Sequence, residues 1–228
     1  MECEFNGYSF CLVQPLSPKQ LESLVGLLEQ SDTAPVGVLG GRGSLSTGQL
    51  PGLGSVVVKH YLRGGILRRF VERHYLRLGK TRPQREFELL EKARALGVNA
   101  PRPLGYACRG RVFYQAWIFM REVAEHKRLT ELALEEPDAV PPIVKNLACQ
   151  VIKLVQNRIL HVDLHPGNVL VDKQGGVFVV DFDKARYFRG SLLRLRDKYI
   201  WRWRRAVIKH GLPDELSEIF CLELKTQR

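Results

Sequence analysis

Apolar positions along the chain repeat with helical spacing in some stretches and with strand-like alternation in others. Over residues 16–30, LSPKQLESLVGLLEQ, Leu21, Leu24, Val25 and Leu28 recur at steps of three and four, which gathers them on one face of a helix. Ser17 is placed to cap that helix and Pro18 to open its first turn. Residues 36–54, VGVLGGRGSLSTGQLPGLG, have no such period, and their glycines predict turns between short strands. SVVVKHY, residues 55–61, is β-branched and predicts a strand ending in Lys59. Helical spacing returns over 82–96, RPQREFELLEKARAL, with Phe87, Leu89, Leu90, Ala93 and Leu96 as core candidates and Gly97 as the stop. VNAPRPLGY reads as a proline-rich connection, and VFYQAWIFMREV alternates as one or two strands. Residues 142–159 predict another helix, and GVFVVDF another strand. Strands first and helices afterwards predict an α+β protein in two lobes: an N-terminal antiparallel sheet with one helix over 1–120, and a mainly helical C-terminal lobe over 121–228. The joint is expected near Met120 to Glu125.

Composition narrows the class. The 228 residues, 45% hydrophobic and 26% charged, suit one globular domain with a substantial core. Cys3, Cys11, Cys108, Cys149 and Cys221 are scattered and form no CxxC pair, which argues against a disulfide framework or zinc site and for a reducing, intracellular compartment. MECEFNGYSF is acidic where a signal peptide is basic, and no run reaches the eighteen apolar residues of a membrane span. The net charge of +11 is concentrated: residues 59–85 carry a local +8 and residues 184–211 a local +9. Two such segments fit a polyanionic partner, whether nucleotide phosphates, nucleic acid or an anionic membrane.

The candidate chemistry lies in HVDLHPGNV, residues 161–169, and FVVDFDKAR, residues 178–186. A carboxylate and an amide oxygen make a hard site suited to Mg²⁺, which completes its shell with water and phosphate. Pro166 and Gly167 turn the chain so that Asp163 and Asn168 can face one site, and Asp181 is placed at the end of a buried strand. Phosphoryl transfer needs such a set: a base for the hydroxyl, metal across the phosphates, and a cation on the nucleotide.

H-V-D-L-H-P-G-N followed by D-F-D resembles the H-x-D-x-x-x-x-N and D-F-G elements of the protein-kinase-like superfamily. GGRGSLSTG resembles its glycine-rich phosphate cover, VVVKHY its strand lysine and QREFELL its helix glutamate. Within that superfamily, VVVKHYLRGGILRRF, RHYLRLGKTRPQREFELL, LGVNAPRPLGY and VDFDKAR resemble the bacterial 3-deoxy-D-manno-octulosonic acid (Kdo) kinases, which belong with the lipopolysaccharide core heptose kinases. The resemblance covers roughly residues 35–205.

It implies an ATP- and Mg²⁺-dependent phosphotransferase acting on a sugar hydroxyl of a Kdo-lipid A type glycolipid, peripheral on the cytoplasmic face of the bacterial inner membrane. It also implies roles: Asp163 the catalytic base, Asn168 and Asp181 the Mg²⁺ ligands, Lys59 on the α/β-phosphates, Glu86 orienting Lys59, and Gly41 and Gly43 in the phosphate cover. Three departures from protein kinases stand out. Val162 replaces the arginine that links the catalytic loop to a phosphorylated activation loop. His165 stands where a protein kinase has a lysine near the transferred phosphate, and serves there either protonated or as a neutral N–H donor. Asp183 replaces the D-F-G glycine, and no A-P-E follows, which disfavours a protein substrate.

Other readings remain at this stage. His161 reads as a structural histidine, and the glycine-rich stretch also fits a plain loop. Arg194, Lys198, Arg202, Arg205 and Lys209 form a basic helical stripe beside Leu195, Tyr199, Trp203 and Ala206. That stripe is either a solvated helix face or a surface for anionic lipid or the acceptor's phosphates. Alternative activities are heptose phosphorylation, a small atypical protein kinase, and a basic nucleic-acid-binding pseudokinase; with the catalytic elements retained, nucleic acid is not the expected partner.

Overall fold

The computed structural model describes residues 1–33, 43–62, 75–77 and 79–226. It begins with a hairpin of β1 (Glu2–Phe5) and β2 (Tyr8–Leu12), turned at Asn6 and Gly7 with φ of 49° and 77°. Asn-Gly accepts positive φ at both turn positions, the backbone a two-residue hairpin needs. Tyr8, Phe10 and Leu12 then fall on one face and are buried against Trp117 and Phe119.

The chain divides into two compact units, Met1–Glu88 with Arg102–Glu122, and Leu89–Pro101 with Val123–Arg228. In the first, α1 (Pro18–Thr33) begins as the sequence expects. The Ser17 and Gln20 side chains each accept from the other's backbone N–H, at 3.3 and 2.8 Å, a reciprocal cap. Leu21, Leu24, Val25 and Leu28 are all buried. β3 (Gly43–Leu50), β4 (Gly54–Tyr61), β6 (Pro103–Arg109) and β7 (Phe113–Arg121) join the hairpin in an antiparallel sheet of order β1-β2-β6-β7-β4-β3, and β5 (Tyr75–Leu76) pairs with β7.

The turns expected over 36–54 give way, from Gly43 on, to an eight-residue strand in continuous register with β4. Packing explains the difference. Ser46 Oγ donates to the Leu27 carbonyl at 3.3 Å, and Gly48 lies against the Leu27 side chain, where any Cβ would overlap it. That glycine serves close approach of α1 to the strand rather than a turn. The proline-rich connection likewise becomes strand from Pro103.

The helix α2 (Arg82–Ala95) follows the expected pattern, with Leu89, Leu90 and Ala93 buried. Gly97, at φ 76°, ends it. The Gly97 and Val98 N–H groups donate to the Arg94 and Ala93 carbonyls at 2.9 and 3.0 Å.

The second unit holds α3 (Leu129–Glu135), α4 (Val140–Gln156), α5 (Leu192–Lys209) and α6 (Glu215–Thr226). Its core gathers Val144, Leu147, Ala148, Val151 and Leu154 of α4 with Trp203, Phe220 and Phe182. Trp203 and Phe220 stack at 4.7 Å, and the Trp203 indole N–H donates to the Leu216 carbonyl at 3.1 Å, so the large ring is buried with its polar atom satisfied. Two small antiparallel sheets complete the unit: β8 (His126–Arg128), β10 (Val169–Asp172) and β11 (Val177–Val179) in one, β9 (Ile159–Leu160) and β12 (Arg186–Tyr187) in the other. The helix expected to reach residue 159 stops at Gln156, because Ile159 and Leu160 pair with β12.

Candidate active site

In the first unit, Lys59 and Tyr61 alternate along β4 onto the same side. Lys59 Nζ lies 3.0 and 3.1 Å from the two carboxylate oxygens of Glu86 in α2. The Tyr61 hydroxyl donates to the same carboxylate, and Lys59 Nζ sits 5.2 Å from the Tyr61 ring centre. Glu86 is only 2% exposed and Lys59 15%. A carboxylate buried this far needs a cation or several donors, and it has both. The strand lysine and helix glutamate are thus paired, with Tyr61 a member that sequence reasoning missed. Its signal was the two-residue offset from Lys59. Gly43 opens β3 opposite Tyr61. Gly41 lies outside the described residues.

In the second unit, the loop after β9 is held from several sides. His161 is fully buried; its Nε2–H donates to the Val180 carbonyl at 3.0 Å and its ring meets Phe182 edge-on at 4.7 Å. Burial lowers its pKa to about 4, so the imidazole is neutral, as its structural reading expects. The His161 backbone N–H donates to the Tyr199 hydroxyl at 2.7 Å, and that hydroxyl donates to the Ile159 carbonyl at 2.9 Å. Burial raises the Tyr199 pKa, which keeps the donor proton in place. Arg202 reaches from α5 to the Val162 carbonyl at 2.6 Å. An arginine therefore does meet this loop, but it comes from α5 and grips backbone instead of standing at position 162.

Asn168 Nδ2 donates to the Asp163 carbonyl at 2.9 Å and closes the loop on itself. Val180 N–H donates to the Asn168 carbonyl at 3.0 Å, extending the β10–β11 ladder by one step. Val180 is thereby fixed at its N–H by Asn168 and at its carbonyl by His161, and Asp181 follows directly. Asp181 has φ 65°, left-handed backbone that few residues other than glycine adopt. That turn stands just beyond the strand end, where Asp181 is exposed.

His165 Nδ1 accepts from the Gly167 N–H at 3.1 Å, and the ring stacks on His210 at 5.6 Å. Burial, then the neighbouring His210, lowers its pKa. Of the two forms open at position 165, the geometry selects the neutral ring with its proton on Nε2. Lys184, which sequence reasoning passed over, places Nζ 2.5 Å from Asp163 Oδ2. Its signal was a cation three residues after Asp181.

Asn168 and Asp181 fit a divalent cation of the magnesium type. With the Asn168 nitrogen engaged by Asp163, its oxygen is the atom left for a metal, and Asp181 is an exposed residue. Among the described residues no three His, Cys, Asp or Glu side chains converge on one point. An ion held by one carboxylate and one amide oxygen would complete its shell with phosphate and water, as Mg²⁺ does.

Comparison with known proteins bears on this arrangement. The sequence model of the Lipopolysaccharide kinase (Kdo/WaaP) family matches residues 28–209, a span holding every site residue named above except His210. The chain is similar to the 3-deoxy-D-manno-octulosonic acid kinase of Vibrio vulnificus (strain CMCP6), 33% identical over 159 residues, 68% of this chain and 66% of that protein. The enzyme of the same name from Stenotrophomonas maltophilia (strain K279a) is 31% identical over 182 residues, 78% of this chain and 71% of that protein. That from Vibrio cholerae serotype O1 is 29% identical over 164 residues, 68% of each chain. The matched stretch spans about two thirds of the length of the Vibrio relatives. With its α+β fold and a family match over most of its length, the chain belongs to the lipopolysaccharide kinase (Kdo/WaaP) family, whose members are phosphotransferases acting on hydroxyl groups.

Proposed function

We propose that this protein transfers the γ-phosphoryl group of ATP to a Kdo hydroxyl of a lipid A-bearing lipopolysaccharide precursor at the cytoplasmic face of the inner membrane. The observation that carries the reading is the loop from His161 to Asn168, fixed by Tyr199, Arg202 and Val180 so that the Asp163 carboxylate stands partly exposed at its tip. Asp163 takes the hydroxyl proton as the sugar oxygen forms its bond to the γ-phosphorus, and the bond from that phosphorus to the β–γ bridging oxygen breaks to release ADP. Lys59, held by Glu86 and Tyr61, contacts the α- and β-phosphates. Asn168 and Asp181 would hold Mg²⁺, which neutralises phosphate charge when bound. His165 contributes a loop-stabilising acceptor and a neutral N–H.

Support for a carbohydrate acceptor also comes from the short link after Asp181. Residues 182–191 alone separate it from α5, which leaves little chain for a platform that would position a peptide. The decisive assay offers radiolabelled ATP with purified Kdo-lipid A, with heptose-containing core acceptors and with a generic protein. Label entering Kdo-lipid A, abolished by Asp163→Asn, is the expected result. Transfer to the heptose acceptor or the protein instead would move the substrate, and retention of transfer by Asp163→Asn would remove the mechanism.

A further inference from the structure

We propose that Lys184 is a further catalytic residue, whose ammonium leaves Asp163 when substrates bind and contacts the phosphoryl group in transfer. This rests on the reading of Asp163 as the base. Lys184 Nζ lies 2.5 Å from Asp163 Oδ2, and the side chains are 47% and 32% exposed. A pair this open to water adds little to fold stability. The contact joins the two stretches that carry the site, 21 residues apart in sequence, within the three residues that follow Asp181.

Charge accounting around the loop gives the contact its purpose. A phosphoryl group in flight spreads negative charge over its equatorial oxygens, and fixed cations there stabilise the transition state. The loop offers none of its own. Position 162 is valine, and His165 spends Nδ1 as an acceptor from Gly167, an acceptance that protonation of that nitrogen would end. Arg202 is turned to the Val162 carbonyl and Arg128 to the Gly167 carbonyl, at 2.6 and 3.4 Å. Among the described residues, Lys184 is the cation in direct contact with Asp163. A hydroxyl hydrogen-bonded to Asp163 presents the oxygen that attacks phosphorus, so a cation on the same carboxylate is one swing of a flexible lysine stem from the phosphoryl oxygens. When the hydroxyl and phosphate arrive, the hydroxyl takes Lys184's place on the carboxylate and the phosphoryl group draws the ammonium. No bond of Lys184 forms or breaks; its proton stays on nitrogen.

The test compares Lys184→Met, Lys184→Gln and Lys184→Arg of the full chain in steady-state transfer to Kdo-lipid A, with ADP affinity and thermal unfolding measured alongside. The neutral variants should lose about 10²-fold or more in kcat. Their KM values and ADP affinity should stay within about threefold, Tm should be unchanged, and arginine should restore about tenfold of the loss. Wild-type kcat in a neutral variant overturns the proposal, and so does a loss confined to acceptor KM, which would make Lys184 an acceptor-binding residue. Asp163→Asn is run in parallel: activity in that variant defeats the base assignment itself, whereas a dead Asp163→Asn beside a fully active Lys184→Met defeats only the role of Lys184.

Discussion

His161 shows how a single buried group ties stability to pH. Its imidazole has a pKa of about 4 in the folded chain against an ordinary 6.5, so the unfolded chain binds the extra proton first as pH falls. Stability supplied by the neutral ring is therefore complete above about pH 6.5 and drains away toward pH 4, by roughly 3 kcal/mol at most for a shift of this size. His165, lowered in the same direction, adds to the slope. The urea midpoint of the protein should fall steadily from pH 7 to pH 4.5. His161→Phe should be less stable at pH 7, because the Val180 carbonyl loses its donor at a cost of about 1–3 kcal/mol, yet its midpoint should depend less steeply on pH. A slope unchanged in that variant would show that the buried ring is not the titrating group. The same ring places the peptide that precedes Asp181, so activity in His161→Phe should fall further than stability does.

Helices and strands whose side chains repeat on one face were legible in the sequence, and those held together by backbone approach were not. α1 and α2 follow from apolar spacing, β4 from its β-branched run, and the paired Lys59 and Glu86 from their order along the chain. β3 was hidden because its glycines signal turns until Leu27 is seen lying on Gly48. The N-terminal hairpin was announced by Asn6-Gly7, a turn signal that sequence reasoning passed over. Within α5, spacing distinguished the buried Leu195, Tyr199 and Trp203, yet it put Arg202 in a single basic stripe with Lys198 and Arg205. The structure separates them, because only a contact 40 residues back in sequence, to the Val162 carbonyl, gives Arg202 its task. Arg202→Ala should cost about 1–2 kcal/mol of stability by leaving that carbonyl without its charged donor. It should lower kcat by about tenfold while leaving nucleotide KM within twofold, since Lys59 is untouched. Arg205→Ala, on an exposed position against Trp201, should do neither. Equal effects of the two substitutions would show that α5 acts on the loop through its overall charge and not through this hydrogen bond.

At the scale of the molecule, the remaining question is what its uneven charge meets. No helix among the described residues is long and apolar enough to cross a membrane, and a bilayer can also be met by a surface. α5 has the required composition: Leu193 and Trp201 are each 58% exposed and Ile208 72%, set among Arg194, Lys198, Arg204 and Arg205, with Asp197 the acid on that face. Exposed apolar side chains ringed by cations on one helix face suit the boundary between headgroups and acyl chains. Each lysine or arginine near an anionic surface adds about 1 kcal/mol at moderate salt. The acceptor proposed for this protein is anchored in such a surface, so a helix that rests on it would raise the local acceptor concentration without adding a contact to the sugar. The protein should co-sediment with vesicles containing phosphatidylglycerol and much less with pure phosphatidylcholine, and 0.5 M salt should weaken binding without abolishing it, because screening removes the charge term and leaves the apolar one. Trp201→Ala with Ile208→Ala should cut vesicle binding several-fold and raise KM for Kdo-lipid A in vesicles, while transfer to a detergent-dispersed acceptor stays unchanged. Both residues are exposed, so Tm should hold. Equal binding to neutral and anionic vesicles, or salt-sensitive binding of RNA in place of vesicles, would instead assign the basic face of α5 to a different partner.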